Sequence, residues 1–377
     1  MEFITGIWGL LTGYILPFLI VLTIVVFFHE LGHYLVGRWC GIRALAFSVG
    51  FGPEITGFTD RHGTRWKLSA IPLGGYVKFL GDENAASVPD ADAVSRMSAE
   101  ERAHSFPGAS LWRRAATVAA GPVANFILAI AIFAVFFSLN GRMIADPVVA
   151  EVQPESAAAA AGIQPGDRFV SIDGEEMKTF EDVRRHVAPR PGVPMDLRIE
   201  RDGAMLDLEL TPVRTEIEDE FGNKMEVGQI GVVTNRDSGR FRVEHYTPVE
   251  AVGEGAKESW FIVTRTFGYI GNIITGREKA DQLGGPIRVA QVSGQMATLG
   301  WAALIQLAAV LSVSIGLLNL MPVPMLDGGH LVFYAIEAVL GRPLGEATME
   351  WAFRIGLTAV LSLMLFATWN DVSMLIG

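Results

Sequence analysis

Cysteine and basic residues are both scarce in this chain of 377 residues. The single cysteine, Cys40, has no partner for an internal disulfide, so it indicates nothing about the redox compartment. Lys and Arg together number 30 against 41 Asp and Glu. Because nucleic-acid binding requires a basic patch or stripe, nucleic acid is excluded as an expected partner.

Charge is unevenly distributed along the chain. Residues 144–258 contain 13 basic and 24 acidic residues, so this stretch accounts for the whole net charge of −11. The remainder is electrically balanced, and half of all residues are hydrophobic, which is too apolar for an ordinary soluble protein. The pattern predicts a membrane-embedded body into which an acidic, water-facing module is inserted.

Four stretches are apolar and long enough to span a bilayer, because ~20 helical residues cross ~30 Å of hydrocarbon. They cover residues 7–36, 115–139, 301–320 and 351–369. A fifth apolar stretch, 260–274, is short and contains Arg265, which would cost roughly 2.5 to 3.5 kcal/mol at the centre of a spanning helix. We therefore predict an interfacial or covered helix there.

The orientation of the spans follows from their short basic flanks. Arg38 and Arg43 follow the first span, Arg113 and Arg114 precede the second, and residues 1–6 contain no basic residue. Since basic flanks stay on the cytoplasmic side, the loop between the first two spans is predicted to lie inside. Both termini and the acidic module are then predicted to lie outside.

An H-E-x-x-H pattern, formed by His29, Glu30 and His33, lies within the first predicted span. Helical residues four apart share a face, so both imidazoles can reach one zinc ion while Glu30 lies beside it. A carboxylate there can take a proton from water and return it to the leaving amine. Ionisable groups at membrane depth are costly, which favours a functional metal site over a chance pattern.

A catalytic zinc site needs a third protein ligand. The third span is predicted to end at the depth of His29, where two prolines stop the helix and glycines allow the chain to turn back. Asp327 is the candidate ligand in this run. A helix-capping role for Asp327 and ligation by His330 remain alternatives.

These residues resemble the motifs of the site-2 protease family, in particular its bacterial branch. The resemblance runs nearly end to end. It rests on the H-E-x-x-H pattern at 29–33, Gly-Pro-Val-Ala-Asn at 121–125, Leu-Gly-Gly-Pro-Ile at 283–287 and N-x-x-P-x-P-x-L-D-G at 319–328.

The resemblance implies an intramembrane zinc endopeptidase. Asp327 would be the third Zn²⁺ ligand and Glu30 the base, and we assign Asn319, Pro322 and Asn125 from the shared motifs to substrate binding. The substrate would be a single-span membrane protein, already trimmed by another protease, whose cytoplasmic part is released by regulated intramembrane proteolysis. Anti-sigma factors and remnant signal peptides are the expected substrates, and the location is a bacterial inner membrane with the termini on the periplasmic side.

The predicted fold is a mainly α, polytopic membrane protein with four transmembrane helices, a membrane-associated β-hairpin region and an inserted α+β PDZ domain. We predict domains at 1–142, 143–213, 214–300 and 301–377: the first two spans, the PDZ domain, a β extension with the interfacial helix, and the last two spans. Within 143–213, residues 180–187 are predicted to form an amphipathic helix, and residues 195–199 and 206–210 are predicted to form strands joined through Asp202-Gly203. The protease that typifies this branch has two tandem PDZ modules, whereas residues 143–213 have room for one.

Two roles for the PDZ domain stay open: it captures a peptide terminus by strand addition, or it acts as a steric gate. The inner loop contains β-like runs at 45–53 and 66–79, whose strand edge could pair with an unwound substrate or could be purely structural. Two rival functions also remain, an inactive PDZ receptor with a structural zinc and a metal-dependent transporter. Glu30 argues against the receptor, and the lack of repeated spans argues against the transporter.

Overall fold

The computed structural model describes residues 8–82, 96–218, 224–234, 241–276, 280 and 284–376. Within them, four helices are long and apolar enough to cross a membrane, as the sequence predicts. These helices are Trp8–Trp39, Leu111–Asn140, Trp301–Asn319 and Ala347–Met374. The predicted first residue of the first span, Ile7, and Leu283 of the third shared motif lie outside the described residues.

Helices and strands alternate in a mixed arrangement. The helices are α1 (Leu16–Trp39), α2 (Ala99–Ala103), α3 (Leu111–Asn140), α4 (Ala157–Ala160), α5 (Phe180–Val187), α6 (Pro248–Ile274), α7 (Pro286–Thr298), α8 (Trp301–Asn319), α9 (Asp327–Leu340) and α10 (Glu346–Ile376). The longer strands are β1 (Ala44–Thr59), β2 (Arg65–Phe79), β3 (Arg142–Ala145), β5 (Arg168–Ile172), β7 (Met195–Arg201), β8 (Ala204–Leu210), β9 (Val213–Glu218), β10 (Lys224–Gln229) and β12 (Phe241–Glu244). The two-residue strands are β4 (Glu151–Val152), β6 (Glu175–Glu176) and β11 (Val232–Val233).

The ends of α1 follow its sequence. A π-helical stretch, Leu11–Ile15, lies just before Pro17, whose missing N–H removes one backbone hydrogen bond from the helix. Beyond the last residue, Trp39, the chain turns at Gly41 with a φ of 75°. A side chain is strained in that left-handed conformation, so glycine is the residue that lets the chain leave the helix towards β1.

Helix α6 corresponds to the apolar stretch predicted as interfacial or covered. It begins with a capping box between Thr247 and Glu250, followed by Pro248 at the first helical position. It is not among the four span candidates found in the described part of the chain. Polar residues, among them Arg265, make this helix less apolar on average than the four candidates.

The loop after α1 forms a long antiparallel hairpin of β1 and β2, as the two β-like runs predict. The two strands fold back on each other, because residues 46–49 of β1 pair with residues 75–78 of β2 on one side and with residues 65–68 on the other. Residues 65–68 pair in turn with residues 56–59 of β1, so the hairpin forms a small sheet. Its outer part exposes large apolar side chains, among them Ile55 at 66% and Phe58 at 63%. Exposed apolar surface of this kind is typical of a segment that contacts lipid or a partner.

The chain folds into two compact units. The first comprises residues 1–133, 255–263 and 280–377, and the second comprises 134–254 and 264–279. In the first unit, a core of Tyr34, Phe47, Phe79, Val118 and Tyr334 joins the hairpin to α1, α3 and α9. Because β2 packs on α1 through this core, the hairpin is held beside the H-E-x-x-H motif.

The second glycine of the Leu-Gly-Gly-Pro-Ile motif, Gly285, has a structural explanation within the first unit. The Asp371 carboxylate accepts hydrogen bonds from the backbone N–H groups of Gly285, Ile287 and Arg288 at 2.8, 3.0 and 3.1 Å. These are donors at the start of α7 that a helix cannot satisfy by itself. A Cβ at Gly285 would lie 2.8 Å from this carboxylate, so only glycine fits between α7 and α10.

The second unit contains the elements predicted for the PDZ domain. Helix α5 begins at Phe180 and ends at Val187, as predicted, and β7 and β8 are joined through Asp202 and Gly203. Four strands pair in the order β6-β5-β7-β8. They and α5 enclose a core that includes Phe169, Ile172 and Ile199, each fully buried.

Strands beyond residue 213 belong to this second unit. Strand β11 pairs with β4, and β12 pairs with β3 in a register that joins Glu244 to Arg142. Ile230 lies in the same core as Phe169. The domain boundary predicted at residue 213 therefore falls inside the compact unit, which continues to Glu254.

Candidate metal centre

Helix α1 brings His29 and His33 onto one face. Their imidazole centroids lie 4.8 Å apart, and the two Nε2 atoms are 3.1 Å apart. Both rings are largely buried, and they belong to a helix that is apolar enough to span a membrane. Two unpaired imidazoles at this depth would be costly, so their convergence indicates a shared ligand.

Helix α3 packs against this face at unusually short range. A Cβ at Gly32 would lie 2.3 Å from the carbonyl oxygen of Ala120, so the two backbones nearly touch. A Cβ at Gly121 would lie 2.2 Å from Nε2 of His33 and 2.8 Å from Cε1 of His29. Gly121 therefore provides the space in which the two imidazoles lie.

The protonation of His33 is determined by a backbone contact. Its Nδ1 lies 2.9 Å from the carbonyl oxygen of Thr117, which can only accept, so Nδ1 carries the proton. The lone pair is then on Nε2, the atom that faces His29 and Asp327. Such an outer hydrogen bond sets the tautomer and orientation of a metal-binding imidazole.

Asn125 of α3 contacts the other imidazole. Its side chain is fully buried, with Nδ2 3.2 Å from Nδ1 of His29, and its Oδ1 has no hydrogen-bond partner in the described part of the chain. The backbone oxygen of Asn125 accepts a hydrogen bond of 2.8 Å from Ser312 of α8. A Cβ at Gly316 would lie 3.1 Å from Cβ of Asn125, so α8 packs closely on α3 there.

The chain between α8 and α9 brings Asp327 to the two histidines. Met325 adopts a φ of 87°, and Asp327 is the first residue of α9. A Cβ at Gly328 would lie 2.3 Å from the carbonyl oxygen of Leu320, and one at Gly329 would lie 2.3 Å from that of Val323. The two glycines therefore allow the start of α9 to fold back against the preceding loop.

A polar cluster ties α9 to α3. Arg114 forms an ion pair of 2.7 Å with Glu337, and both side chains are largely buried. The Arg114 guanidinium also lies 5.0 Å from the ring centroid of Tyr334. Burial raises the pKa of Tyr334, so its hydroxyl stays protonated. This cluster holds the helix that begins with Asp327, and nothing in the sequence pattern indicated it.

The three candidate ligand atoms have the spacing that zinc requires. Asp327 Oδ2 lies 3.2 Å from Nε2 of His29 and 3.6 Å from Nε2 of His33. Donor atoms bound tetrahedrally at 2.0 to 2.1 Å lie ~3.3 Å from one another. The carboxylate oxygen is buried and has no hydrogen-bond partner among the described residues. Two nitrogens and one oxygen in this arrangement could hold a metal ion and fit zinc.

A cavity of about 180 Å³ opens beside these atoms. Its lining includes Glu30, His33, Asn319, Asp327 and His330. Val77 of β2 lines the same cavity as Glu30. The arrangement places a carboxylate, a metal-binding cluster and a strand around one small polar space.

The remaining residues predicted for the site lie in different surroundings. His330 lines the cavity but is not part of the converging cluster, and its ring lies 5.5 Å from that of Phe353. Burial lowers the pKa of His330, which keeps it neutral. Pro322 is exposed, and neither it nor Asn125 is among the residues that line the cavity.

Comparisons with known proteins agree with this geometry. The family model described as Peptidase family M50 matches residues 17–363. A protein of Agrobacterium fabrum, provisionally named a zinc metalloprotease, is 67% identical over 377 residues, and the match covers 100% of each chain. Metalloprotease MmpA of Caulobacter vibrioides is 40% identical, with 94% of each chain covered.

Similarity extends to a more distant bacterium. Zinc metalloprotease RasP of Geobacillus kaustophilus is 29% identical, over 95% of this chain and 97% of that protein. Among solved structures, the PDZ domain of an SdrC-like protein from Listeria monocytogenes aligns with 17% identity and a TM-score of 0.18, covering 22% of this chain and 82% of that one. This last alignment is too weak to support an argument. The family match over residues 17–363 and the full-length similarity to named metalloproteases show that the chain is a zinc metalloprotease of peptidase family M50, the site-2 protease family.

Proposed function

We propose that this zinc metalloprotease cuts peptide bonds in or next to the transmembrane segment of single-span membrane proteins, with His29, His33 and Asp327 as the zinc ligands and Glu30 as the base. The observation that carries the proposal is the approach of the three ligand atoms to the spacing of a zinc site. His29 and His33 belong to a helix long and apolar enough to span a bilayer. A substrate segment would therefore meet the site within the membrane.

Glu30 carries the proton transfers in this proposal. Zinc, when bound, supplies Lewis acidity to the reaction. Glu30 takes one proton from the attacking water while the new C–O bond forms at the scissile carbonyl. It then returns that proton to the amide nitrogen as the C–N bond breaks. The products are a carboxylic acid and an amine, and no covalent bond to the protein is required.

The outer edge of β2 is the proposed binding site for the unwound substrate. A helical segment buries its backbone hydrogen bonds, and unpaired backbone groups in lipid cost several kcal/mol each. Residues 75–79 of β2 pair with β1 on one side, and no strand among the described residues pairs with their other side. A Cβ at Gly75 would lie 3.3 Å from Cγ of Glu30, which shows how near this strand lies to the base. Strand addition there would present an extended backbone beside Glu30.

Asn319 and Pro322 keep their proposed roles near the substrate. Asn319 lines the cavity, so its amide can reach a substrate backbone group at the site. Pro322 follows the end of α8 and is exposed, which supports a role in shaping the entrance to the cavity.

Asn125 fits a different role, that of orienting His29. If Nε2 of His29 binds zinc, Nδ1 must carry the proton and needs an acceptor. A half-turn of the Asn125 amide would exchange its nitrogen and oxygen and bring the unpartnered Oδ1 to Nδ1–H. Both buried groups would then be satisfied. We therefore propose Asn125 as a positioning residue and no longer as a substrate contact.

The proposed orientation follows from the basic residues that flank the first two spans, and the proposed substrate follows from the resemblance to the site-2 protease family. The loop that contains the hairpin lies on the cytoplasmic side of the bacterial inner membrane, and the second compact unit lies on the periplasmic side. The substrate is a single-span protein trimmed beforehand by another protease, such as an anti-sigma factor or a remnant signal peptide. We favour a steric gate as the role of the PDZ-like unit, because no clear carboxylate-binding loop precedes Val148.

The test compares wild-type protein with Glu30→Gln in bilayer nanodiscs that contain a trimmed single-span substrate. The amide has the shape of the carboxylate but cannot accept the water proton, so we expect full zinc content and no detectable cleavage. Mass spectrometry of the products should place the cut in or beside the substrate's apolar segment. Near-native cleavage by Glu30→Gln would refute the mechanism, and cleavage confined to water-exposed loops would refute the proposed substrate.

A further inference from the structure

A second cavity lies away from the metal centre, at the end of α1 where the chain enters the hairpin. Its volume is about 330 Å³. The ionisable residues in its lining are Arg38, Arg43, His62 and His104. Among the described residues no carboxylate lines this cavity, whereas two guanidinium groups and two imidazoles do.

The two arginines and His104 are held in different ways. Arg38 donates a hydrogen bond of 2.9 Å to the hydroxyl of Tyr34, which holds its guanidinium at the cavity wall. Nδ1 of His104 lies 2.9 Å from the carbonyl oxygen of Gly41, so Nδ1 is the donor and Nε2 is available to a ligand. Arg43 is exposed and forms no ion pair among the residues that the structure describes. Its Nη2 lies near Gly63, where an added Cβ would be 3.6 Å away, and thus beside His62.

Two carboxylates of this region, Asp60 and Glu101, accept hydrogen bonds from other groups. Asp60 accepts hydrogen bonds from the Tyr34 hydroxyl, the Trp66 indole and two backbone N–H groups. Although partial burial acts in the opposite direction, these donors hold the pKa of Asp60 well below its usual range. Glu101 lies close enough to Arg43 for their charges to interact, but its carboxylate accepts hydrogen bonds from Ser98 at the start of α2. Neither Asp60 nor Glu101 is in the lining, so among the described residues the permanently charged groups that line the cavity are the guanidinium groups of Arg38 and Arg43.

Exposed tryptophans place this cavity at the level of the lipid headgroups. Trp39, the last residue of α1, is 80% exposed, and Trp112, at the start of α3, is 77% exposed. Tryptophans at the ends of spanning helices lie at the membrane interface. Arg113, next to Trp112, donates to the carbonyl oxygen of Cys40 and so ties the start of α3 to the cavity wall.

We propose that this cavity is a binding site for a phosphate anion, with the headgroup phosphate of an anionic phospholipid as its ligand. Guanidinium groups recognise phosphate oxygens through paired N–H donors, and basic pockets at the cytoplasmic ends of spanning helices bind anionic headgroups. A phosphate held between Arg43 and His104 joins the first residues of the hairpin to the segment before α3. Ligand binding therefore stabilises the connection through which β1 and β2 reach the metal centre.

The test measures lipid retention by native mass spectrometry on zinc-loaded protein taken from nanodiscs of phosphatidylglycerol or phosphatidylcholine. The main variant is Arg43→Gln, whose guanidinium makes no hydrogen bond on which the fold depends. Arg61→Gln is the matched control, because it removes one charge from the same turn but does not line the cavity. We expect phosphatidylglycerol retention to be about fivefold weaker in Arg43→Gln and unchanged in Arg61→Gln. Arg43→Lys, which keeps the charge, should retain most of the binding.

A second arm distinguishes the source of the phosphate. Inorganic phosphate is added to protein in phosphatidylcholine nanodiscs, and its binding to wild-type and Arg43→Gln protein is compared. Binding that is lost in the variant supports the site with a soluble phosphate ligand, whereas no binding together with selective phosphatidylglycerol retention supports the lipid. Equal losses in Arg43→Gln and Arg61→Gln, or no loss in Arg43→Gln, would overturn the proposal. Zinc content checks that each variant is folded.

Discussion

Replacing Gly121 with alanine is the sharpest test of how the metal centre is built. The new Cβ would lie 2.2 Å from Nε2 of His33, whereas ordinary van der Waals contact begins at 3.4 Å. The imidazole would therefore have to move by about 1.2 Å, and zinc sites keep their bond lengths within about 0.2 Å. His33 cannot meet both requirements while α3 stays in place. Since loss of an outer-shell partner alone weakens metal binding about 10- to 100-fold, Gly121→Ala should weaken zinc binding by at least about 100-fold.

Pro122 complicates this substitution, and the chain offers a control for it. A residue with a Cβ is disfavoured in helical conformation before proline, so Gly121→Ala could also strain α3. Pro122→Ala and the double variant Gly121→Ala/Pro122→Ala remove that contribution. Gly13→Ala in the first span has no atom within 4 Å of the new Cβ and controls for the change of residue type alone.

The assay is zinc retention against a graded series of chelator concentrations, followed by cleavage of a trimmed substrate. Gly121→Ala and the double variant should lose both zinc and activity, while Pro122→Ala and Gly13→Ala should keep their zinc. Normal chelator resistance and normal cleavage in Gly121→Ala would refute the argument that the His33 imidazole needs the space that a side chain at position 121 would fill. Loss in Gly121→Ala with recovery in the double variant would instead assign the effect to the strain before Pro122.

Three further predictions test the ligand set and the second unit. Asp327→Ala should weaken zinc binding more than about 100-fold, because two histidines leave the metal under-coordinated. His330→Ala should keep its zinc. The opposite result would make His330 the ligand. Asn125→Leu should weaken zinc binding about 10- to 100-fold. Asn125→Asp should restore it, because a carboxylate also accepts a hydrogen bond from Nδ1–H of His29. Equal zinc affinity in both variants would exclude the positioning role. Deleting residues 142–244 and joining the ends through a short glycine linker removes β3 together with its partner β12. If the second unit is a gate, cleavage of untrimmed relative to trimmed substrate should rise. If it is a peptide receptor, cleavage of trimmed substrate should fall. An unchanged ratio in zinc-loaded protein would reject both roles.

The bounds of this deletion depend on strand pairings that local sequence does not predict. The sequence places α5 and the β7–β8 turn correctly, because both follow from local periodicity and a turn dipeptide. The return of β11 and β12 to β4 and β3 joins residues about 80 to 100 positions apart, and no short-range pattern encodes such a pairing. A deletion that ended at residue 213 would have left those strands without partners.

By itself, the sequence determined everything that depends on nearest neighbours along a helix or on uninterrupted apolar length. It yielded the four span candidates, the zinc metalloprotease assignment and the face shared by His29 and His33, since a helix brings residues four apart together wherever it lies. The tertiary structure decided which atoms meet across helices: the carboxylate of Asp327 and not the imidazole of His330 approaches the histidines, and Asn125 contacts His29. These outcomes depend on close packing of α3 and α9 against α1, which rests on contacts between segments far apart in the chain and therefore on the folded backbone as a whole.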